Sequence, residues 1–234
     1  MRSLDSRAVS ESLESYSRAR LAESDFFSGL SAGKIDLAHV REVFGQYYQW
    51  RNRFHRWFGI CVAKIAPFSD ALNVPLVLGE LIACLEQEIS GNHHGLALSF
   101  LAGLGLENPS RITMLPVTEA YSESFLRCYF SADRSGDEAL AALAGRELVV
   151  PGRNRIIVSA LPRHYGVTSG LEFFNLHTRL EAEHFRSLWE AFAQDTKADA
   201  RMLIEAARIE IWEHITFWDD AYSAVLGQQH ELVA

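Results

Sequence analysis

The chain has 234 residues, 48% of them apolar and 22% charged, so it can enclose a full core and is neither a disordered tail nor a fibrous repeat. Its 22 Lys+Arg against 30 Asp+Glu leave a formal charge of −8, which removes the basic surface that a nucleic-acid partner would need. The three cysteines, Cys61, Cys84 and Cys128, lie far apart with no C-x-x-C pair and read as reduced core residues. The segment before Phe26 lacks the apolar run of a secretory signal, and nothing approaches the roughly 18 apolar residues of a membrane span, so no membrane association is expected and a cytoplasmic location is.

Glycine (15) and proline (6) are sparse, and the long stretches between them carry helical spacing without sustained apolar–polar alternation. The expected fold is all-α, a single domain over residues 1–234. A first helix is predicted from Ser10 to Leu30, ending at Gly33, which can take the left-handed position after a helix. Asp36 caps the next, Leu37 to Ile65, whose stripe Phe44, Tyr47, Tyr48, Trp50, Phe54, Trp57 and Phe58 is mostly core. Pro67 stops it. A third stretch runs from Ser69 to Leu104, weakened at Ser90-Gly91-Asn92, where a break or bulge is expected. Helices follow from Val117 to Phe130 and from Asp137 to Val150, where Pro151 interrupts, then from Arg153 to Tyr165, Leu171 to Ala193 and Asp199 to Leu226. Seven or so helices with no repeat describe a compact bundle rather than a solenoid.

Three regions carry candidate chemistry. In His177-Thr-Arg-Leu-Glu181-Ala-Glu-His184 the two imidazoles and Glu181 recur at i, i+4 and i+7, within about 60° of one another around a helix, and apolar Phe173, Phe174, Leu180 and Leu188 surround them. In Glu86-Gln-Glu88-Ile-Ser-Gly-Asn-His93-His94 a continuous helix would stack Glu86 with His93, whereas Glu88 and His93 would differ by roughly 140°. A bulge at Ser90-Gly91-Asn92 would let His94 replace His93. Glu147 stands among small and apolar neighbours, where a lone carboxylate is costly unless paired or bound to a cation, with Arg146 or Arg153 as the alternative partner. Pro151 also lacks the N–H that would bond the Glu147 carbonyl. Glu86, His93, Glu147, His177, Glu181 and His184 together give three carboxylates and three imidazoles, the donor types that bundles use for dinuclear sites, suited to iron or manganese better than zinc.

The stretches LEQEISGNHH, LAGRELVVPGRNRIIVSALPRHYG and FFNLHTRLEAEH resemble the haem-oxygenase-like dimetal oxidases and oxygenases, with their E-x6-H, mid-chain Glu and H-x3-[DE]-x2-H. The early FFSGLSAGKIDLAHVREVFGQYYQW is similar to the entry helices of that superfamily, which includes TenA-type and PqqC-type proteins. The resemblance implies a bundle of about seven helices around two iron ions, one held by Glu86, His93 and His177 and the other by Glu147, Glu181 and His184, one carboxylate bridging. It implies O2 as co-substrate, activated through a peroxo intermediate, and N-oxygenation, desaturation or oxidative C–C cleavage of a small amine, amino acid or fatty acid. The nearest local similarity is to the CADD-type para-aminobenzoate synthases. That branch consumes a tyrosine of its own, and here Phe27 and Arg146 stand where tyrosines would, so an external substrate is preferred.

Tyr48 and Phe174 are expected to wall a substrate pocket, with Arg51 or Arg155 gripping a carboxylate. An external electron donor and a homodimer are further expectations. Two alternatives compete. One is a metal-free oxidase or hydrolase of the PqqC or TenA sort, although the last cysteine, Cys128, precedes the late helices where a TenA-type nucleophile is sought. The other is a non-enzymatic scaffold, whose Glu86, Glu147 and Glu181 would face solvent. The last helix, with Glu210, Glu213, His214, Trp218 and Asp219, reads as an amphipathic closing helix that could instead line the cavity or a dimer face.

Overall fold

A computed structural model describes residues 6–64, 74–131, 133–193 and 199–233. Ten α-helices occur among them: α1 (Ser6–Glu23), α2 (Asp25–Ser31), α3 (Leu37–Arg51), α4 (His55–Lys64), α5 (Val74–Ser90), α6 (His93–Gly103), α7 (Pro116–Tyr129), α8 (Gly136–Tyr165), α9 (Glu172–Ala193) and α10 (Ala200–Val233), with one 3-10 turn at Pro109–Arg111 and no strand. The predicted helix end at Ile65, the stop at Pro67 and the start at Ser69 lie outside the described residues.

Several predicted helices divide, each for a local reason. The first breaks at Ser24, whose Oγ accepts from the Phe27 N–H (3.2 Å) and donates to Asp219 (2.6 Å) while Asp219 also accepts from the Phe26 N–H (2.9 Å). This cap points α2 inward, burying Phe26, Phe27 and Leu30, and Gly33 after it has the expected left-handed backbone (φ +62°). The aromatic helix divides between Arg51 and His55, with its stripe buried on both sides of the turn. Asp36 holds the cap position of α3 with extended backbone but makes no side-chain capping bond.

Pro151 does the opposite of what was expected: α8 runs through it without interruption for 30 residues. A mid-helix proline costs about 3 kcal/mol, and α8 offsets it by packing along both α9 and α10, so that Ala139 to Leu143, Val149 and Ile157 are fully buried. Gly145 lets the backbones meet, since a Cβ there would lie 2.5 Å from the Ala207 carbonyl oxygen of α10. The start of α8 is fixed by a capping box: Ser135 Oγ accepts from the Glu138 N–H (3.1 Å) and the Glu138 carboxylate accepts from the Ser135 N–H (2.8 Å). Ser135→Ala is expected to lower unfolding stability by about 1 kcal/mol, read from urea titration. Burial resists the Glu138 charge, but Ser135 and Arg134 outweigh it and hold the carboxyl below its ordinary 4.5, so its contribution is present above that value and fades as the pH falls.

Candidate metal centre

Helix α9 brings His177, Glu181 and His184 to one inward face, and two groups of donor atoms form around them. His177 meets Glu88 and His93, while Glu181 and His184 meet Glu147 of α8; within each group the donor atoms lie within 4.8 Å of one another. His177 and Glu181 are one helical turn apart, so the two groups are neighbours along α9, offset by about 6 Å of helix rise. Helix α5 also touches both, with Cys84 beside His184 and Glu88 in the other group.

Glu86 does not take the place predicted for it; it is exposed, and Glu88 faces inward instead. The cause is the chain break between α5 and α6. Asn92 adopts left-handed backbone (φ 55°), so His93 opens a new helix and the angular relation of a continuous helix no longer applies. His93 is the buried member of the pair and His94 is exposed, tilted against Tyr48 at 6.2 Å between rings.

In the first triad the His177 Nδ1–H donates to the Phe173 carbonyl (2.6 Å), which turns Nε2 toward Glu88 Oε1 at 3.3 Å. Burial holds His177 below the ordinary histidine range. Glu88 resists its own burial because His177, His93 and Arg51 (2.8 Å) keep its carboxyl well below the usual carboxylate range. His93 Nδ1 lies 3.0 Å from Glu88 Oε1 yet is misaligned for a hydrogen bond, and is a buried atom without a partner. Two imidazole nitrogens are thus aimed at one carboxylate oxygen.

In the second triad Glu147 and Glu181 are both fully buried, a costly pairing for two acids. Arg146 Nη1 donates to Glu147 Oε1 at 2.6 Å and holds that carboxyl down at about 2, against the desolvation that would raise it. Glu181 is pushed well above the carboxylate range by burial and by Glu147. His184 Nδ1 lies 2.8 Å from Glu181 and 3.9 Å from Glu147, while Nε2 meets the Gln87 side-chain oxygen at 3.1 Å. Burial disfavours the imidazolium of His184, but hydrogen bonds to Cys84 and the two acids raise its pKa well above the ordinary range. Glu147 Oε2 has no hydrogen-bond partner. These residues fit a metal ion: each triad mixes carboxylate oxygen with imidazole nitrogen, and each leaves a buried donor atom unpaired.

Of the predicted pocket residues, Arg51 lines a cavity of about 150 Å³ together with Phe58, Glu88 and His94, and Tyr48 borders a smaller one with Arg51 and Phe173. Phe174 is fully buried in the aromatic core, edge-on to Phe100 at 4.6 Å. Arg155 is exposed on the outer face of α8, and the inward guanidinium is that of Arg153, two positions earlier. The proline-tolerant helix simply keeps its phase there, so residues 153 and 155 lie about 200° apart.

Two features take roles that the sequence pattern did not assign them. Cys84 had only an apolar context, and what marks it is its position one turn before Glu88. Arg153 belongs to a buried polar chain that is internally directed. A guanidinium only donates, so His214 Nε2 must accept from Arg153 Nη1 (2.8 Å); His214 Nδ1–H then donates to the Tyr121 oxygen (2.8 Å), and the Tyr121 hydroxyl donates to Glu210 (3.1 Å). Burial and the neighbouring Arg153 and Arg146 keep His214 neutral, consistent with that single direction. The inward Glu210 and His214 are therefore structural partners of α7 and α8 within this core.

A model of a family described as iron-containing redox enzymes matches residues 41–219, most of the chain. Among solved structures, a domain of unknown function with a heme oxygenase-like fold from Shewanella denitrificans OS217 superposes with a TM-score of 0.76 at 18% identity, covering 97% of this chain and 95% of that one. A CADD-like protein of unknown function from Nostoc punctiforme PCC 73102 gives 0.70 at 16% identity, with 95% and 99% coverage. A TenA homolog from Pseudomonas syringae pv. tomato DC3000 gives 0.71 at 13% identity, with 97% of each chain covered. No curated protein matches the sequence. At these identities the likeness shows the haem-oxygenase-like fold.

Proposed function

Since the chain belongs to the family of iron-containing redox enzymes, we propose that it is a non-haem diiron oxidase or oxygenase that uses O2 on a small external substrate, with Glu88, His93 and His177 holding one metal and Glu147, Glu181 and His184 the other. The observation that carries the reading is the convergence on Glu88 Oε1 of His177 Nε2 at 3.3 Å and His93 Nδ1 at 3.0 Å, the mixed oxygen and nitrogen donors that a divalent cation takes. When bound, two ferrous ions would supply the electrons and open coordination positions for O2 reduction; manganese suits the same donors.

The protein's own contribution is charge placement and shelter. The Phe173 carbonyl fixes the His177 ring, and Gln87 orients His184 from the other side. Arg51 and Arg146 each neutralise the outer oxygen of one glutamate, leaving the inner oxygens turned to the donors. The cavity beside Arg51, Glu88 and His94 gives a small organic molecule access to the first triad. Amines, amino acids and fatty acids are the substrate classes proposed, with Arg51 at the wall of that cavity and Tyr48 bordering the smaller one beside it.

A second reading rests on Cys84, which lies beside His184 and two acids, an arrangement compatible with a metal-free hydrolase. Burial raises its thiol pKa and so opposes the thiolate such a reaction would need. Iron analysis and O2 uptake separate the readings. About two Fe(II) per chain after anaerobic loading, with an optical change on exposure to O2 that survives Cys84→Ser, is the result expected. Fewer than about one iron per chain would sink the diiron reading.

A further inference from the structure

A groove of about 260 Å³ lies on the opposite side of α8 from the polar chain, where α1, α8 and α9 come together. Each helix sends one arginine to it: Arg18 from α1, Arg155 from α8 and Arg186 from α9. The convergence runs against the composition, for the chain carries a net charge of −8. Among the described residues a single carboxylate, Glu14, borders the groove; it reaches Arg18 at 3.5 Å, and both side chains are at least half exposed, so water screens the pair. Among the described residues, Arg155 and Arg186 have no carboxylate partner. Three guanidinium groups in a concave surface raise the local potential, and their planar donor forks match a carboxylate.

The floor between them is apolar, built from Leu21, Leu148, Pro151 and Phe185, with buried Ser17 at one side. We propose that this groove binds a small organic anion with a carboxylate head and an apolar body, the head on Arg155 and Arg186 with Arg18 alongside, and the body over Pro151 and Phe185. Its volume lies just below the roughly 300–1,000 Å³ of drug-sized sites, so the ligand is smaller than those. The groove is separate from the metal-binding triads: Leu148 and Phe185 follow Glu147 and His184 directly in sequence, and successive helix positions turn by about 100°. The inference therefore stands whether or not the triads hold iron.

Isothermal titration of the full-length chain with octanoate, 1-octanol and inorganic phosphate tests both halves of the recognition. Saturable one-to-one octanoate binding is expected, weakened at least tenfold in the Arg155→Gln/Arg186→Gln double variant and by an intermediate factor in each single variant, with octanol and phosphate both weaker than octanoate. Both arginines are exposed, so iron content and thermal unfolding should match the parent chain. No saturable binding of octanoate, equal binding by the double variant, or phosphate binding as tight as octanoate would overturn the proposal.

Discussion

If the two triads each hold a metal ion as proposed, Glu88→Gln is expected to remove one of them, while Glu86→Gln leaves both in place. The two acids are one helical residue pair apart, equal in chemistry and opposite in direction: Glu86 is exposed, and Glu88 has Arg51 at 2.8 Å, His93 at 3.0 Å and His177 at 3.3 Å. An amide in place of the Glu88 carboxylate keeps the volume but loses the charge that cancels that of a cation, and turns an NH2 donor toward the two imidazole nitrogens or toward Arg51. Loss of an outer partner already costs metal sites about 10–100-fold in affinity, and loss of a direct ligand should cost at least that. Titration with Fe(II) or Mn(II) followed by dialysis and metal analysis reads the result as a drop from about two ions to one. Because Glu147, Glu181 and His184 are untouched, the second ion should remain. Metal loss in Glu86→Gln with full retention in Glu88→Gln would contradict the geometry.

The same pair shows where sequence patterns stop. The spacing of His177, Glu181 and His184 is a property of one uninterrupted helix, and periodicity places such residues well. The Glu–His motif straddles a junction, and its phase depends on a single residue, Asn92, taking left-handed backbone. Poor helix formers at Ser90-Gly91-Asn92 announced a break, but not by how many degrees the next helix would be turned. Arg155 fails for the converse reason. Pro151 suggested an interruption that tertiary packing on α9 and α10 prevents, and in the unbroken α8 the inward arginine is 153. Cys84 carried no signal beyond its helix, since its partners Glu147, Glu181 and His184 come from α8 and α9. Burial of Glu147 and Glu181 goes against the scaffold reading, which placed all three acids in water, as only Glu86 is.

Arg146→Met should destabilise the metal-free protein by about 3–5 kcal/mol, the range found when one member of a buried ion pair is removed. The guanidinium is buried over the Phe54 ring at 3.7 Å and near Trp50 at 5.0 Å, with Glu147 as its direct partner at 2.6 Å. Methionine can fill that aromatic slot, so the loss is electrostatic rather than a cavity effect. What remains is a buried Glu147 whose nearest source of positive charge is His184 Nδ1 at 3.9 Å, next to Glu181, which burial and Glu147 push above the carboxylate range. A divalent ion bound by Glu147, Glu181 and His184 supplies the missing positive charge at the same place. Excess Mn(II) should therefore stabilise the variant by more than it stabilises the parent, since a ligand that binds only the folded state adds RT ln(1 + [L]/Kd) and the more negative site binds more tightly. Urea unfolding with chelator and with Mn(II), in both proteins, gives four stabilities and one difference of differences. Equal gains from metal in the two proteins would mean that Arg146 and the ion do not share a field, and the second triad would lose its role as a cation site.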